Sequence, residues 1–361
     1  MPKEMMLFAG NSHLEFANEV AEHLMVSLHE PDMKDVDVPT RKGQLIKWFS
    51  NGNCLVDIKR DVRGADCFII QTQAFGKALN GRDEMGNPIF GNDLSVSDHL
   101  MELWLMAYAL KSAEAKSVTA VVPYLPYIRS DKKDSPRVGV GIRLIADFCI
   151  VSGINRILTM DPHFEQIHAV FNEPVLPVNL LRSKPISAKY IKENFDLTNA
   201  VMVASDASEG KRAGSMAQLL GLDMAIIDKR REGDDEQARA VAMIGDVEGK
   251  SCLLTDDETS SGGTIIEAAE YCERSGAKDV IAFVTHGVLS VLPKLQQLQE
   301  MKIIKQVIVT DTIPVPEEKR FSKLTIVPVS RNFANAIKII FEQKSLDGYK
   351  RSLYDEFDKV E

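Results

Sequence analysis

The order of apolar and amphipathic segments is the feature that most restricts the fold of this 361-residue chain. Apolar runs of strand length alternate with amphipathic segments of helical period. This alternation is typical of βαβ units, in which helices cover both faces of a mostly parallel sheet. The apolar runs occupy residues 67–70, 118–122, 157–160, 201–204, 253–254, 280–284 and 307–309, and the amphipathic segments include 14–24, 100–111 and 213–220. We therefore predict a fold of the α/β class.

Polar clusters follow four of these apolar runs, at residues 127–137, 161–168, 206–212 and 256–264. Ligands of open parallel sheets bind beyond the carboxyl ends of the strands, so polar residues gathered at these ends indicate a binding site. Agreement among four strand ends carries more weight than any one motif.

The most specific pattern lies at residues 252–264. An apolar strand leads to Asp256 and Asp257, a small-residue loop follows, and apolar positions at helical spacing come next. The loop would lie at a helix N-terminus, where free backbone N–H groups and the helix dipole favour a phosphate. The acids can accept hydrogen bonds from ribose hydroxyls or hold a hydrated Mg²⁺. Adjacent acids before a Gly-Gly turn are also common in solvated turns, but strand, acids, loop and helix together favour a ribose-phosphate site.

Composition limits the function classes. The chain has 52 acidic and 43 basic residues and a formal net charge of -9, which disfavours general nucleic-acid binding but allows a local polyphosphate site. No uncharged apolar stretch reaches the ~18 residues of a membrane helix, and the start of the chain does not resemble a signal peptide. We therefore expect a cytoplasmic protein without a membrane or nucleic-acid partner. The five cysteines lack CxxC spacing and are expected to be free thiols.

The length favours two domains. We place the junction at Gly153, which gives an N-terminal domain at residues 1–152, a C-terminal domain at 153–343 and a charged tail at 344–361. Residues 72–98 are rich in glycine and asparagine and show no useful period. They predict a long loop, either a functional flap or a disordered insert.

Several ordered motifs indicate a family. They are LFAGN at 7–11, FSNG at 49–52, DVRG at 61–64, PYLPYIRSDKKD at 123–134, EQI at 165–167, IIDKRR at 226–231, IGDV at 244–247, the loop at 256–264 and TDTIP at 310–314. With these motifs the chain resembles ribose-phosphate diphosphokinase, also called phosphoribosyl pyrophosphate (PRPP) synthetase. The resemblance implies two phosphoribosyltransferase-like domains, each with a central, mostly parallel sheet flanked by helices. The implied reaction transfers the β,γ-diphosphate of ATP, with Mg²⁺, to the anomeric hydroxyl of ribose 5-phosphate.

The resemblance also implies roles for particular residues. The implied ATP-binding positions are Phe49, Asn51, Arg129, Lys132 and Asp134, and the ribose-phosphate positions are Asp256, Asp257, Ser260, Ser261, Gly262, Gly263 and Thr264. The implied catalytic residues are Lys229, Arg231 and His163, and the implied metal-associated residues are His163 and Asp206. In the family the loop matching 49–51 reaches the adenine of a neighbouring subunit, which implies self-association as a dimer or hexamer. Two cations on a mobile loop suit the reaction, because the transition state of phosphoryl transfer spreads negative charge over several oxygens.

The sequence departs from the family pattern at residues 205–212, where SDASEGKR replaces Pro-Asp followed by two glycines. Glu209 and Lys211 therefore occupy a turn that normally encloses the sugar phosphate; they either contact a longer acceptor or point to solvent. We expect Arg212 to be structural.

Three hypotheses stay open. The default is a PRPP synthetase, and the second keeps the chemistry but uses ADP-ribose as acceptor. The third is a regulatory subunit without activity, against which the retained catalytic residues count.

Overall fold

The computed structural model describes residues 4–29, 45–72, 76–82, 88–133, 135–164, 166–207, 209–230, 239–355 and 357. The chain divides into two compact units. The first comprises Met1–Leu181, Thr312–Pro314 and Val329–Tyr349, and the second comprises Arg182–Asp311, Val315–Pro328 and Lys350–Glu361. Among the described residues, none of the helices has the length and apolar character needed to cross a lipid bilayer.

The first unit is built on a parallel sheet. Its strands are β1 (Met5–Ala9), β2 (Leu28–His29), β3 (Ile46–Trp48), β4 (Cys54–Val56), β5 (Asp66–Ile70), β6 (Gly76–Arg82), β7 (Pro88–Leu94), β8 (Ser117–Val121), β9 (Arg156–Met160) and β10 (Val178–Leu181). Six of them form the sheet in the order β10-β9-β8-β5-β1-β2, whereas β3–β4 and β6–β7 are separate antiparallel pairs. Every residue of β5 is buried, as expected for a central strand covered on both faces.

The second unit has a seven-stranded sheet. Its strands are β11 (Ala200–Ala204), β12 (Asp223–Arg230), β13 (Arg239–Ile244), β14 (Ser251–Thr259), β15 (Asp279–Gly287), β16 (Ile304–Thr310) and β17 (Leu324–Val327). They lie in the order β13-β12-β11-β14-β15-β16-β17, and β13 runs antiparallel to its neighbour. Apolar clusters pack on both faces: Leu254 belongs to one cluster and Leu253 to the other. The predicted α/β class, with helices around mostly parallel sheets, is confirmed.

Ten α-helices connect these strands within the described residues. They are α1 (Leu14–Leu24), α2 (Val96–Ser112), α3 (Gly141–Val151), α4 (Ile167–Val170), α5 (Lys184–Asn194), α6 (Gly210–Leu220), α7 (Gly263–Arg274), α8 (Leu292–Glu300), α9 (Ser330–Phe341) and α10 (Leu346–Ser352). Helix α9 returns to the first unit, where the ring of Phe333 packs edge-on against Phe16 of α1 at 5.4 Å between centroids. The first unit is therefore discontinuous in sequence.

The boundary between the units differs from the expected junction at Gly153. This glycine forms the turn between α3 and β9, with a φ of +88° and Lys111 Cγ only 2.5 Å from where a Cβ would stand. Strands β9 and β10 then extend the first sheet, through the pairs Thr119↔Arg156 and Val178↔Ile157. The crossover consequently follows Leu181.

The segment 72–98, expected to be a long loop, contains the antiparallel pair β6–β7. The register of this pair shifts twice, between Lys77 and Leu79 and again between Leu79 and Gly81. Such irregularities break the period of two that marks a strand in sequence, which explains why no strand was predicted.

Candidate functional site

The two acids of the predicted ribose-phosphate motif lie near the carboxyl end of β14. The strand runs to Thr259, so Asp256 and Asp257 stand within the strand rather than after it. The strand is longer than its apolar run because pairing with β15 continues to Thr259↔Gly287. A short loop then leads into α7, as the sequence predicts.

The loop at residues 260–264 forms the N-terminus of α7. Gly262 precedes the helix with a φ of +87°, and a Cβ there would lie 3.0 Å from Leu298 Cδ1, so both conformation and packing favour glycine. Ser261 Oγ accepts a hydrogen bond from Gly263 N at 3.3 Å, and Thr264 is exposed. The hydroxyls and the N–H groups of the first helical turn supply donors suited to a phosphate.

Three carboxylates gather beside this loop. Oxygens of Asp256, Asp257 and Glu209 lie within 4.8 Å of one another. Glu209 belongs to the turn before α6, and this turn is closed by Asp206, whose Oδ1 accepts a hydrogen bond from Glu209 N at 3.1 Å. We refer to Glu209, Asp256 and Asp257 as the acid cluster.

Arg212 links two members of the acid cluster. Its Nη1 lies 3.3 Å from Asp257 Oδ1, and its Nε lies 3.2 Å from Glu209 Oε2. The Asp257 side chain is 4% exposed and that of Glu209 19%, so Glu209 turns toward the cluster rather than to solvent. Lys211, in contrast, is exposed. Arg212, expected to be structural, therefore contacts a predicted ribose-binding residue directly.

Charge crowding in the acid cluster perturbs Asp256. Burial, together with the adjacent Asp257 carboxyl group and the charge of Glu209, raises the pKa of Asp256 to about 8, although Arg212 opposes the shift. A carboxyl group in this environment retains a proton near neutral pH unless a cation compensates its charge. Clustered carboxylate oxygens are ligands that Mg²⁺ prefers, so the acid cluster fits a magnesium ion.

Lys294 of α8 is a candidate site residue that the sequence pattern did not indicate. A Cβ at Gly263 would lie 2.8 Å from Lys294 Nζ, so the ammonium group stands directly against the loop at 260–264. Nothing in the local sequence of α8 distinguishes this lysine. The signal that could have found it is the position of α8 after β15, because β15 is the neighbour of β14 in the sheet.

The predicted ATP-binding residues belong to the first unit. Phe49 and Asn51 are exposed in the turn between β3 and β4, where Asn51 Oδ1 accepts a hydrogen bond from Asn53 N at 3.1 Å. Arg129 and Lys132 are exposed in the segment that follows β8. Asp134 lies outside the described residues.

The remaining predicted residues are divided between the units. His163 is exposed after β9 in the first unit, whereas Asp206 and Lys229 belong to the second. Lys229 lies in β12, and Arg231 falls outside the described residues. The structure thus brings Asp256 and Asp257 together with the loop at 260–264.

Several known proteins resemble this chain in sequence. Residues 5–153 match the N-terminal domain of ribose phosphate pyrophosphokinase, and residues 235–351 match a phosphoribosyl synthetase-associated domain. The ribose-phosphate pyrophosphokinase of Streptomyces avermitilis is 36% identical over 98% of this chain and 97% of its own length. That of Caldanaerobacter subterraneus is 37% identical over 95% of this chain and 96% of its own.

A solved structure extends the similarity to three dimensions. The crystal structure of phosphoribosylpyrophosphate synthetase from Mycobacterium smegmatis superimposes with a TM-score of 0.79 at 35% identity, covering 94% of this chain and all of that one. Sequence similarity over nearly the full length and a shared fold lead to one assignment: this chain belongs to the ribose-phosphate pyrophosphokinase family of enzymes.

Proposed function

We propose that this chain transfers the β,γ-diphosphate of ATP to the 1-hydroxyl of ribose 5-phosphate and so forms PRPP and AMP. The observation that carries the proposal is the contiguity of the acid pair in β14 with the phosphate-type loop at the start of α7. Family membership supports the same reaction.

The acceptor would bind along β14 and α7. Its 5-phosphate would accept hydrogen bonds from Ser261, Thr264 and the first N–H groups of α7, with Lys294 adding a positive charge. Asp256 and Asp257 would accept hydrogen bonds from the ribose 2- and 3-hydroxyls. This arrangement would orient the anomeric hydroxyl for attack on the β-phosphorus of ATP.

Mg²⁺ is the cofactor that this reaction needs, and it would neutralise charge on the transferred diphosphate. The acid cluster supplies oxygens that could hold such an ion, and the family resemblance adds Asp206 and His163. Arg212 would hold Asp257 in place while the metal content changes, because their ion pair does not depend on a metal.

Cations would stabilise the transition state without reacting. On the family resemblance these are Lys229 and Arg231, with Arg129 and Lys132 contacting the nucleotide and Phe49 and Asn51 contacting adenine. Self-association is part of the proposal, because the family loop reaches the nucleotide of a neighbouring subunit.

A second candidate reaction has ADP-ribose as the acceptor, diphosphorylated at the same anomeric hydroxyl. The observation in its favour is the inward position of Glu209, in a turn where the family resemblance implies paired glycines. A longer 5′ substituent would pass this turn, where the exposed Lys211 could pair with its second phosphate.

The test is a direct competition between acceptors. The protein is incubated with Mg-ATP and either ribose 5-phosphate or ADP-ribose, and AMP and the diphosphorylated product are measured by mass spectrometry. Efficient turnover of ribose 5-phosphate, with ADP-ribose neither reacting nor inhibiting, supports the first reaction and excludes the second. If neither acceptor yields AMP, the proposed activity is wrong.

A pair of variants ties the activity to the site. Asp257→Asn should lower kcat/KM for the acceptor at least tenfold, whereas Asp246→Asn, an exposed acid of the same unit, should leave it unchanged. Equal activity of the two variants would mean that Asp257 does not contact the acceptor.

A further inference from the structure

A fully buried carboxylate lies in the first unit. Glu102 of α2 has no exposed surface. One oxygen accepts hydrogen bonds from Trp48 Nε1 at 2.7 Å and from Asn11 Nδ2. The other accepts from Gln71 Nε2 at 2.7 Å, Asn11 N at 3.1 Å and His99 Nδ1 at 3.2 Å. Five donors from four residues thus converge on a single side chain.

These donors keep Glu102 ionised. Burial by itself would raise the pKa of Glu102, but hydrogen bonds from His99, Trp48 and Asn11, together with the charge interaction with His99, lower the pKa below its ordinary value. Hydrogen bonds to a buried charge are stronger than those between neutral groups. The carboxylate therefore fixes the positions of its donors firmly.

The donors come from segments that are far apart in sequence. Asn11 follows β1 and Gln71 follows β5, so both stand at the carboxyl end of the first sheet. Gln71 packs so closely on the chain after β1 that a Cβ at Gly10 would lie 2.3 Å from its Oε1. The hydrogen bonds of Glu102 therefore connect α2 to the carboxyl end of the first sheet, which is where ligands of such folds bind.

Trp48 connects this network to the turn that carries Phe49 and Asn51. It is the last residue of β3, and Phe49 N donates to Asn53 O at 2.8 Å to close the turn that follows. The β3–β4 pair belongs to neither large sheet, so sheet pairing does not set its position. The indole of Trp48 packs against the core of the first unit and donates to Glu102.

We propose that Glu102 is a positioning residue for nucleotide binding. It holds the Trp48 indole and thereby sets the direction in which Phe49 and Asn51 leave the β3–β4 pair. This inference rests on the proposed function in one respect, namely that Phe49 and Asn51 contact the adenine of ATP. The inference adds Glu102 as a residue that does not contact the nucleotide but affects how tightly the protein binds ATP.

The test removes one donor and keeps the fold. Trp48→Phe deletes the indole N–H while retaining an aromatic ring, and Glu102 keeps its other donors. The matched control is Trp104→Phe, which makes the same chemical change on α2 itself, where the Trp104 ring packs against Phe148 at 4.8 Å. Affinity for Mg-ATP is measured by calorimetry and the thermal midpoint by differential scanning fluorimetry. With an active enzyme, KM for ATP and kcat are measured as well.

We expect Trp48→Phe to weaken ATP binding three- to tenfold, to raise KM for ATP by a similar factor and to leave kcat within twofold, with Trp104→Phe unchanged in affinity. Glu102→Gln should weaken ATP binding at least as much as Trp48→Phe. The inference would be overturned if Trp48→Phe bound ATP as tightly as the wild type, or if both tryptophan variants lost ATP affinity equally. Because calorimetry needs no acceptor, such a result is distinct from a failure of the wild-type protein to transfer diphosphate.

Discussion

Replacing Asp256 with asparagine should stabilise the protein at pH 8. In the folded state the pKa of this carboxyl group is raised from 3.8 to about 8, first by burial and then by the adjacent Asp257. The folded protein therefore binds a proton that the unfolded chain releases, throughout the range between these two values. Stability must fall as pH rises through this range, because ionisation is more costly in the folded state. Asparagine cannot ionise, so the variant escapes the penalty.

The magnitude follows from the size of the shift. At roughly 1.4 kcal/mol per pKa unit, the upper limit of the penalty at pH 8 is about 6 kcal/mol. Asp256 is only partly buried, and its titration is coupled to that of Asp257. Solvent screening and this coupling reduce the penalty, so we expect Asp256→Asn to gain about 2–3 kcal/mol in free energy of unfolding at pH 8. This corresponds to a rise of roughly 5–10 °C in the thermal midpoint of the second unit. The amide oxygen can still accept the hydrogen bond that Asp257 N donates to Asp256 Oδ1 at 2.8 Å.

The assay is thermal unfolding between pH 5 and pH 8, with and without millimolar Mg²⁺. The wild-type midpoint should fall as pH rises and should recover when Mg²⁺ is added, because an ion bound only to the folded state stabilises it. In Asp256→Asn, both the fall of the midpoint with pH and its recovery with Mg²⁺ should be smaller than in the wild type. Asp246→Asn is the control. A hydrogen bond from Lys250 lowers the pKa of this exposed acid, so its replacement should not stabilise the protein at pH 8. A wild-type midpoint independent of pH, or a variant no more stable than the wild type at pH 8, would refute the reasoning.

Three further variants test other parts of the structure. Lys294→Gln should raise KM for ribose 5-phosphate about three- to tenfold with KM for ATP unchanged, whereas Lys302→Gln, at an exposed position, should alter neither KM. An unchanged KM for ribose 5-phosphate in Lys294→Gln would mean that Lys294 does not contact the acceptor. Lys229→Ala should lower turnover by about two orders of magnitude with little change in ATP affinity by calorimetry, and near-normal turnover would contradict its proposed role. Gly153→Ala should lower the free energy of unfolding by about 1–3 kcal/mol in urea titrations, whereas Gly348→Ala, in open space, should not; equal stabilities would mean that the turn after α3 tolerates a side chain.

Much of the fold was predictable because the strands of a covered parallel sheet are apolar throughout. All seven predicted apolar runs overlap strands of the structure, and the segment 14–24 coincides with α1. The order of strand, acids, loop and helix at residues 252–264 was predictable for a different reason. These elements are contiguous, so one stretch of sequence contains the whole pattern.

Features that depend on contacts between distant segments were missed. The turn at Gly153 looks like a domain junction because a glycine between apolar segments does not reveal whether the next strand joins the same sheet. Lys294 and Glu102 acquire their positions only through packing with residues far along the chain. A buried glutamate within an amphipathic helix also has no local signature, since its donors lie 31 to 91 residues away in sequence, apart from its neighbour His99.

The most consequential departure from the family pattern, Glu209, has a local electrostatic explanation. A third carboxylate beside Asp256 and Asp257 would be strongly repelled if it stood alone. Arg212, three residues later on α6, pairs with both Glu209 and Asp257 and compensates this added charge. Arg212 thus offsets the charge that Glu209 adds, while burial and the neighbouring carboxylates still raise the pKa of Asp256. An inactive subunit would need no such compensation around the predicted ribose-binding acids, so the Glu209–Arg212 pair supports our proposal of an active enzyme over the hypothesis of an inactive subunit.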